Sequence, residues 1–293
     1  MELRVLKYFL AVANEENITH AAEKLNITQP TLSRQLKQLE DELSAQLFYR
    51  EKNKMLLTEQ GMFLKRRAED LIGLVDKTEK EFLQQDQMIT GEIYFGAGEL
   101  NSMHLLAKEM KQFKEQYPLV KYHMYSGNAD DIKEKLEKGL VDIALLAEPV
   151  DIDKYEYIRL NQKDLWGILV NKDDPIANKE YVSLEDIKNK PLIISQRTLV
   201  QKELSRWFQN SIDELNIVST YNLIHNASIM VEEGLGYALC LENLITTSSE
   251  TKLQFIPLYP SLYTGSVIVW RKNQLFTQTK MKFIEQLKST NAF

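Results

Sequence analysis

The segment from Thr28 to Leu43 constrains the fold more than any other stretch of the chain. Leu32, Leu36, Leu39 and Leu43 recur at four- and three-residue spacing, so at about 100° per residue they form one apolar stripe on a helix. Pro30, Arg34, Lys37 and Gln38 fall on the opposite face. Thr28 offers a side-chain oxygen to the free amides of the first turn, and Pro30 sits where its missing N–H costs nothing. A shorter helical pattern, Ile18 to Leu25, comes just before. Thr19 is its cap candidate, Ala21 and Ala22 allow a neighbour to approach closely, and Asn26-Ile27 makes the turn. Ahead of it, Leu3, Leu6, Phe9, Leu10 and Ala13 give a first helix its core-facing stripe. An apolar-backed helix with Arg, Lys and Gln in front, held a few residues after a short helix, is the design of a DNA-reading helix-turn-helix.

Charge sharpens that reading. The 293 residues carry a net charge of −6, which argues against a protein that coats nucleic acid without specificity. Yet Arg34, Lys37, Arg50, Lys52 and Lys54 face a single acid, Glu51, in the segments 28–38 and 50–58. The composition, 44% hydrophobic and 27% charged, is that of globular domains and not of a disordered chain. The length suits about two domains. One cysteine, Cys240, excludes an internal disulfide framework and fits a reducing compartment. With no secretion signal pattern and no stretch approaching about 20 apolar residues, a cytoplasmic protein with no membrane partner is expected.

From Leu47 to Thr58 apolar anchors alternate with a basic tip, which predicts a two-stranded wing whose Arg50, Lys52 and Lys54 would touch phosphates. A long helix follows from Glu59. Leu64, Ala68, Leu71, Val75, Thr78 and Phe82 repeat with the alternation of a coiled-coil seam, a candidate dimer interface that Gly73 and Thr78 weaken. The alternative is a helix packed on its own domain. Gly91 marks the next boundary. Strands expected at 92–97, 119–125, 141–146, 165–170, 192–195, 217–221, 237–241 and 266–270 alternate with helices at 102–116, 129–138, 199–215 and 227–233, and a helix at 276–287 closes the chain. Such a rhythm implies a mainly parallel sheet with helices on both faces.

Taken together, Leu6, Phe9 and Val12, then Thr19, Ala21, Ala22 and Leu25, the run Thr28-Gln29-Pro30-Thr31-Leu32-Ser33-Arg34-Gln35-Leu36-Lys37-Gln38-Leu39-Glu40, then Leu47-Phe48-Tyr49-Arg50 and Leu57-Thr58-Glu59-Gln60-Gly61 resemble the LysR-type transcriptional regulators. Tyr117-Pro118, Gly139-Leu140-Val141-Asp142-Ile143-Ala144 and Val231-Glu232-Glu233-Gly234-Leu235-Gly236 are similar, more loosely, to that family's effector domain. Ser44-Ala45 departs from a usual glycine-containing turn, and Thr28 stands where serine is commoner. The resemblance implies an α/β chain with three parts: an N-terminal winged helix-turn-helix over 1–58, a long linker and dimerisation helix over 59–90, and a two-lobed α/β effector-binding domain like a periplasmic binding protein over 91–293. Lobe one would take about 91–161 and 267–293, and lobe two about 162–266.

The DNA-facing candidates are Thr19, Thr28, Gln29, Pro30, Thr31, Ser33, Arg34, Lys37 and Gln38, with Arg50, Lys52 and Lys54 on the wing. Open α/β sheets bind ligands at the carboxyl ends of strands, beside helix N-termini. Three segments meet that rule: Leu100-Asn101-Ser102, Ser195-Gln196-Arg197-Thr198, and Asn222 to Asn226 with His225. The resemblance adds Asn128 and Ala147. Free amides with Ser102, Ser195 and Arg197 suit a carboxylate-bearing metabolite, although Arg197 reads equally as a solvated surface residue.

Rival readings are weaker. Gly96-Ala97-Gly98 could open a dinucleotide fingerprint, but Asn101 stands at its third glycine position. His20, His104, His123 and His225 lack metal-ligand spacing, and Cys240 in an apolar strand reads as a buried hydrophobe. No catalytic group, cofactor or metal is expected. The chain is read as a regulator of an interrupted palindromic operator, tuned by a small anionic metabolite. Its partners would be double-stranded DNA, that effector and further copies of itself as a homodimer or homotetramer, with RNA polymerase as a further candidate. An architectural DNA binder that senses nothing is the non-enzymatic alternative, and a nicotinamide-dependent enzyme the remote one.

Overall fold

Each of the first three helices hides one apolar stripe against the other two. Helix α1 (Leu3–Glu15) buries Val5, Leu6, Phe9, Val12 and Ala13, whereas Leu3 is exposed and Leu10 half-buried, so the stripe is rotated slightly from the expected one. Helix α2 (Ile18–Lys24) is capped by Asn17 and not by Thr19. The Asn17 side chain accepts from the amides of Thr19 (2.9 Å) and His20 (3.2 Å), because the helix begins at Ile18, two residues earlier than a Thr19 cap would require. Thr28 does cap α3 (Gln29–Leu43), accepting from Thr31 N–H, and Leu32, Leu36 and Leu39 are buried while Leu43 is 39% exposed. The helix ends at Ser44 in the left-handed region (φ 49°), a conformation glycine adopts more readily. In the computed structural model, residues 1–51, 54–82, 89–209, 215–247 and 251–290 are described, with backbone alone at 50, 51, 81 and 82.

Strands β1 (Phe48–Glu51) and β2 (Lys54–Leu57) pair antiparallel, Phe48 opposite Leu57 and Glu51 opposite Lys54. The wing is anchored from three sides. Glu40 Oε1 accepts from the amides of Leu47 and Phe48, Met55 N–H donates to the carbonyl of Glu16, and the Phe9 and Phe48 rings lie 5.3 Å apart. Helix α4 (Glu59–Phe82) starts at Thr58, whose hydroxyl donates to Gln46 O and accepts from Gly61 N–H. A Cβ at Gly61 would lie 2.1 Å from Leu47 O, so only glycine lets α4 pass this close to the wing. The unit Met1–Gln85 closes over one core.

The second unit, Asp86–Phe293, runs β3 (Gly91–Ala97), α5 (Met103–Gln116), β4 (Val120–Ser126), α6 (Ala129–Glu137), β5 (Ile143–Ala147) and β6 (Tyr155–Asn171). After a 3-10 turn (Pro175–Asn178) come α7 (Leu184–Ile187), β7 (Leu192–Ser195), α8 (Thr198–Trp207), β8 (Ile217–Tyr221), α9 (Ile224–Glu232), β9 (Tyr237–Leu241), β10 (Leu253–Pro257), β11 (Tyr263–Arg271) and α10 (Gln278–Ser289). The strands join in the order β4-β3-β5-β11-β6-β9-β7-β8, with β10 also on β6.

This sheet is mixed, which corrects the mainly parallel expectation. β3 lies parallel to β4 and β5, and β7 parallel to β8 and β9, but β6 and β11 run against their neighbours. They do so because the chain crosses from one lobe to the other in β6 and returns in β11. β6 begins ten residues before the expected strand; the exposed Asn161, Gln162 and Lys163 interrupt its apolar pattern. α8 stops at Trp207, short of the expected end at Leu215, and residues 210–214 lie outside the described ones.

Lobe one carries a fully buried ion pair. Lys280 Nζ on α10 lies 3.1 Å from Asp142 Oδ1, both side chains no more than 3% exposed, and Asp142 Oδ2 accepts from Tyr94 N–H at 2.9 Å. Burial of two charges is tolerated where each finds such partners.

Candidate functional site

The front of α3 is built for a charged partner. Thr28, Gln29, Pro30, Thr31, Arg34, Lys37 and Gln38 are exposed, with Ser33 half-buried and Thr19 exposed on α2. Neither Arg34 nor Lys37 has an ion-pair partner among the described residues, so both are free to meet an acid brought from outside. Lys54 is exposed on β2. Of the other two wing candidates, Lys52 lies outside the described residues and only the backbone of Arg50 is described.

On α4 the expected seam divides. Leu64 (8% exposed) and Ala68 (0%) belong to the core of their own unit, which corrects their assignment to an interface: α4 lies along α1 over its first turns, and its apolar stripe is used there. Leu71 (41%) and Leu74 (39%) are exposed on another face, although the contact with α1 and its core continues to Ile72 and Asp76; Val75 is half-buried, and the Phe82 side chain is outside the described part.

A second site opens in the Asp86–Phe293 unit where the carboxyl ends of strands from both lobes meet. The cavity measures about 80 Å3. Six expected residues line it: Leu100, Asn128, Ala147, Ser195, Arg197 and Asn222. Glu99, Glu148, Trp166, Tyr221, Ile224 and Thr264 line it too and were not foreseen. Four expected residues are elsewhere. Ser102 is wholly buried and its hydroxyl accepts from Ser266 Oγ at 2.9 Å, because α5 begins beneath the cleft. Asn101 turns its amide to Asp164 Oδ1 (3.0 Å) and Glu242 O (2.9 Å), bracing the two lobes. Gln196 and His225 are exposed on the outer surface.

Arg197 dominates the charge of this cleft. It is 6% exposed, which excludes the solvated reading, and it donates to Pro149 O (3.0 Å) and Ala147 O (3.5 Å) across the lobes. Its Nε is buried without a hydrogen-bond partner, with Asp130 Oδ2 3.9 Å away. Burial lowers its proton affinity, and Asp130 and Glu203 partly restore it. Behind it, burial holds the Glu203 carboxyl above the usual range, eased by a hydrogen bond from Thr264, and one Glu203 oxygen is buried unpartnered. Thr264 also accepts from Trp166 Nε1 at 2.7 Å. The Asp164 carboxyl is likewise raised by burial. Asn128 accepts from the amides of Asp130 and Asp131, so it shapes the wall as the cap of α6.

A helix-turn-helix with a wing, followed by a cleft domain on a two-lobed sheet, is the architecture of a DNA-binding regulator. Residues 3–62 match the bacterial regulatory helix-turn-helix protein model of the lysR family, and residues 86–292 match the LysR substrate binding domain. The chain belongs to the LysR family of transcriptional regulators, with an effector-binding domain behind its helix-turn-helix. It is 27% identical to the HTH-type transcriptional regulator BsdA of Bacillus subtilis (strain 168), covering 97% of this chain and 99% of that protein. It is 26% identical to the Hca operon transcriptional activator HcaR of Escherichia coli (strain K12), over 94% and 93%. The fold matches that of CbnR, a LysR family regulator, with a TM-score of 0.75 at 19% identity over 98% of both chains. HinK from Pseudomonas aeruginosa matches at 0.55 and 25% identity, over 97% of this chain and 96% of that one. Among the described residues no helix is long and apolar enough to cross a membrane.

Proposed function

We propose that this regulator binds duplex DNA as a two-fold dimer, with α3 in the major groove and the wing on the backbone, and that a small carboxylate held at Arg197 biases its output. Gln29, Pro30, Thr31, Ser33 and Arg34 lie in the first turns of α3, the end of a recognition helix that reaches base edges. Arg34 would pair with a guanine edge, while Lys54, and with it Arg50 and Lys52, would meet phosphates that fix register. Full-length CbnR, which shares this fold at a TM-score of 0.73, has been solved with its target DNA. Two copies of α3 must meet groove faces about 34 Å apart, so the operator would be an interrupted palindrome, and exposed Leu71 and Leu74 are the contact that would pair the copies.

The observation that carries the sensing half is Arg197, a buried cation lining a cavity with a donor to spare. A ligand there shifts output only by favouring one lobe arrangement over another. The cleft is then a sensor and not a catalytic centre, and the cytoplasm, where the operator lies, is its place of work. An architectural role leaves such a polar cleft without use. The test is a mobility shift on DNA upstream of the protein's own coding region. Arg34→Ala should cost about 1–3 kcal/mol of specific binding, and unchanged affinity would take α3 out of the reading role.

A further inference from the structure

The first amide of α9, at the edge of the cleft, is already taken by the chain itself. Glu99 Oε2 accepts from Ile224 N–H at 2.5 Å, placing a carboxylate on the first amide of α9, where the helix favours negative charge. The bond runs from lobe one to lobe two. Glu99 Oε1 has no protein donor among the described residues, and Glu99 lines the same cavity as Arg197. The other acid on that wall, Glu148, is already gripped by Arg159 through Nε (3.0 Å) and Nη2 (2.8 Å). Among the described residues, the cavity therefore presents one buried cation and one carboxylate with no ion-pair partner. A plain carboxylate docked on Arg197 would bring a second negative charge into the cavity that Glu99 lines, whereas a ligand with an ammonium group would meet a ready acceptor.

We propose, resting on the reading of Arg197 as the carboxylate anchor, that Glu99 is the specificity-determining residue of the cleft and selects a ligand bearing both a carboxylate and a protonated amine. A cavity of about 80 Å3 holds few heavy atoms, so the chemical class is a small amino acid. The experiment compares matched pairs by thermal shift on the full chain: L-alanine against propionate, L-valine against 3-methylbutanoate, and 4-aminobutyrate against butyrate. The amine-bearing member of at least one pair should raise Tm at concentrations about tenfold lower than its des-amino partner. Glu99→Gln, which keeps an acceptor for Ile224, should erase that gap, and Arg197→Gln should abolish both responses. Equal responses within every pair, or a gap that survives Glu99→Gln, would overturn the role of Glu99 and leave the anchor standing. Responses that persist in Arg197→Gln would remove the anchor instead, and silence from all the compounds would overturn the amino-acid class.

Discussion

On α3 and the wing, Arg34, Lys37 and Lys54 stand in solvent, whereas in the cleft Arg197 is buried and donates to the carbonyls of Ala147 and Pro149. The exposed set keeps its hydration until a polyanion arrives, so it contributes little to folding and answers strongly to salt. The buried set has already lost its water. Lys280 with Asp142 holds elements of lobe one together, and Arg197 spends two donors on carbonyls of the other lobe while keeping Nε without a hydrogen-bond partner. The same residue types are thus left unpaired on the surface of one unit and are largely committed to partners in the interior of the other.

The largest test of this contrast is Asp142→Ala. It removes the carboxylate 3.1 Å from the buried Lys280 ammonium and the acceptor of Tyr94 N–H, and should cost about 3–5 kcal/mol in urea unfolding of the Asp86–Phe293 unit. A loss below about 1 kcal/mol would mean that water or another acid reaches Lys280, and the buried side of the comparison would collapse. Next comes Leu71→Asp. At 41% exposure the side chain is not part of its own core, so folding should hold while self-association weakens by on the order of 2 kcal/mol or more. Sedimentation that still reports a dimer at the same concentration would move the interface off this part of α4. The smallest effect belongs to Lys54→Ala, which should leave unfolding within about 0.5 kcal/mol and weaken all DNA sequences alike, lowering the salt slope of binding by about one. An unchanged slope would take the wing off the phosphates.

The exposed polar face of α3 was legible because it is local. Thr28, Pro30, the leucine stripe and Arg34 sit on one helix, and periodicity alone sorts them into front and back. Strands β8 and β9 came out at their true ends for the same reason, as short apolar runs between clear breaks. The cleft was half legible. Strand ends before helices located Ser195, Arg197 and Asn222, but which side chains turn inward depends on partners far along the chain. Ser102 finds Ser266, and Asn101 finds Asp164 and Glu242, contacts that no spacing encodes. Glu99 stood one residue outside the segment singled out from the sequence. An acid between a strand end and a helix start was the available signal, but strand-end amides and Arg197 point to anions and not to an acid among them.

β6 and β11 are paired from Tyr155 opposite Arg271 to Leu165 opposite Tyr263, and the chain uses both strands to pass between the lobes. A two-stranded ribbon resists stretching but gives readily to twist. Its ladder slips between Gly265 and Val267, which puts a soft point in mid-span, and a Cβ at Gly265 would lie 2.4 Å from Glu148 Oε2 on the cleft wall. A side chain added at Gly265 would therefore press first on the Glu148 carboxylate, so this glycine couples the strand that returns between the lobes to the wall of the cleft.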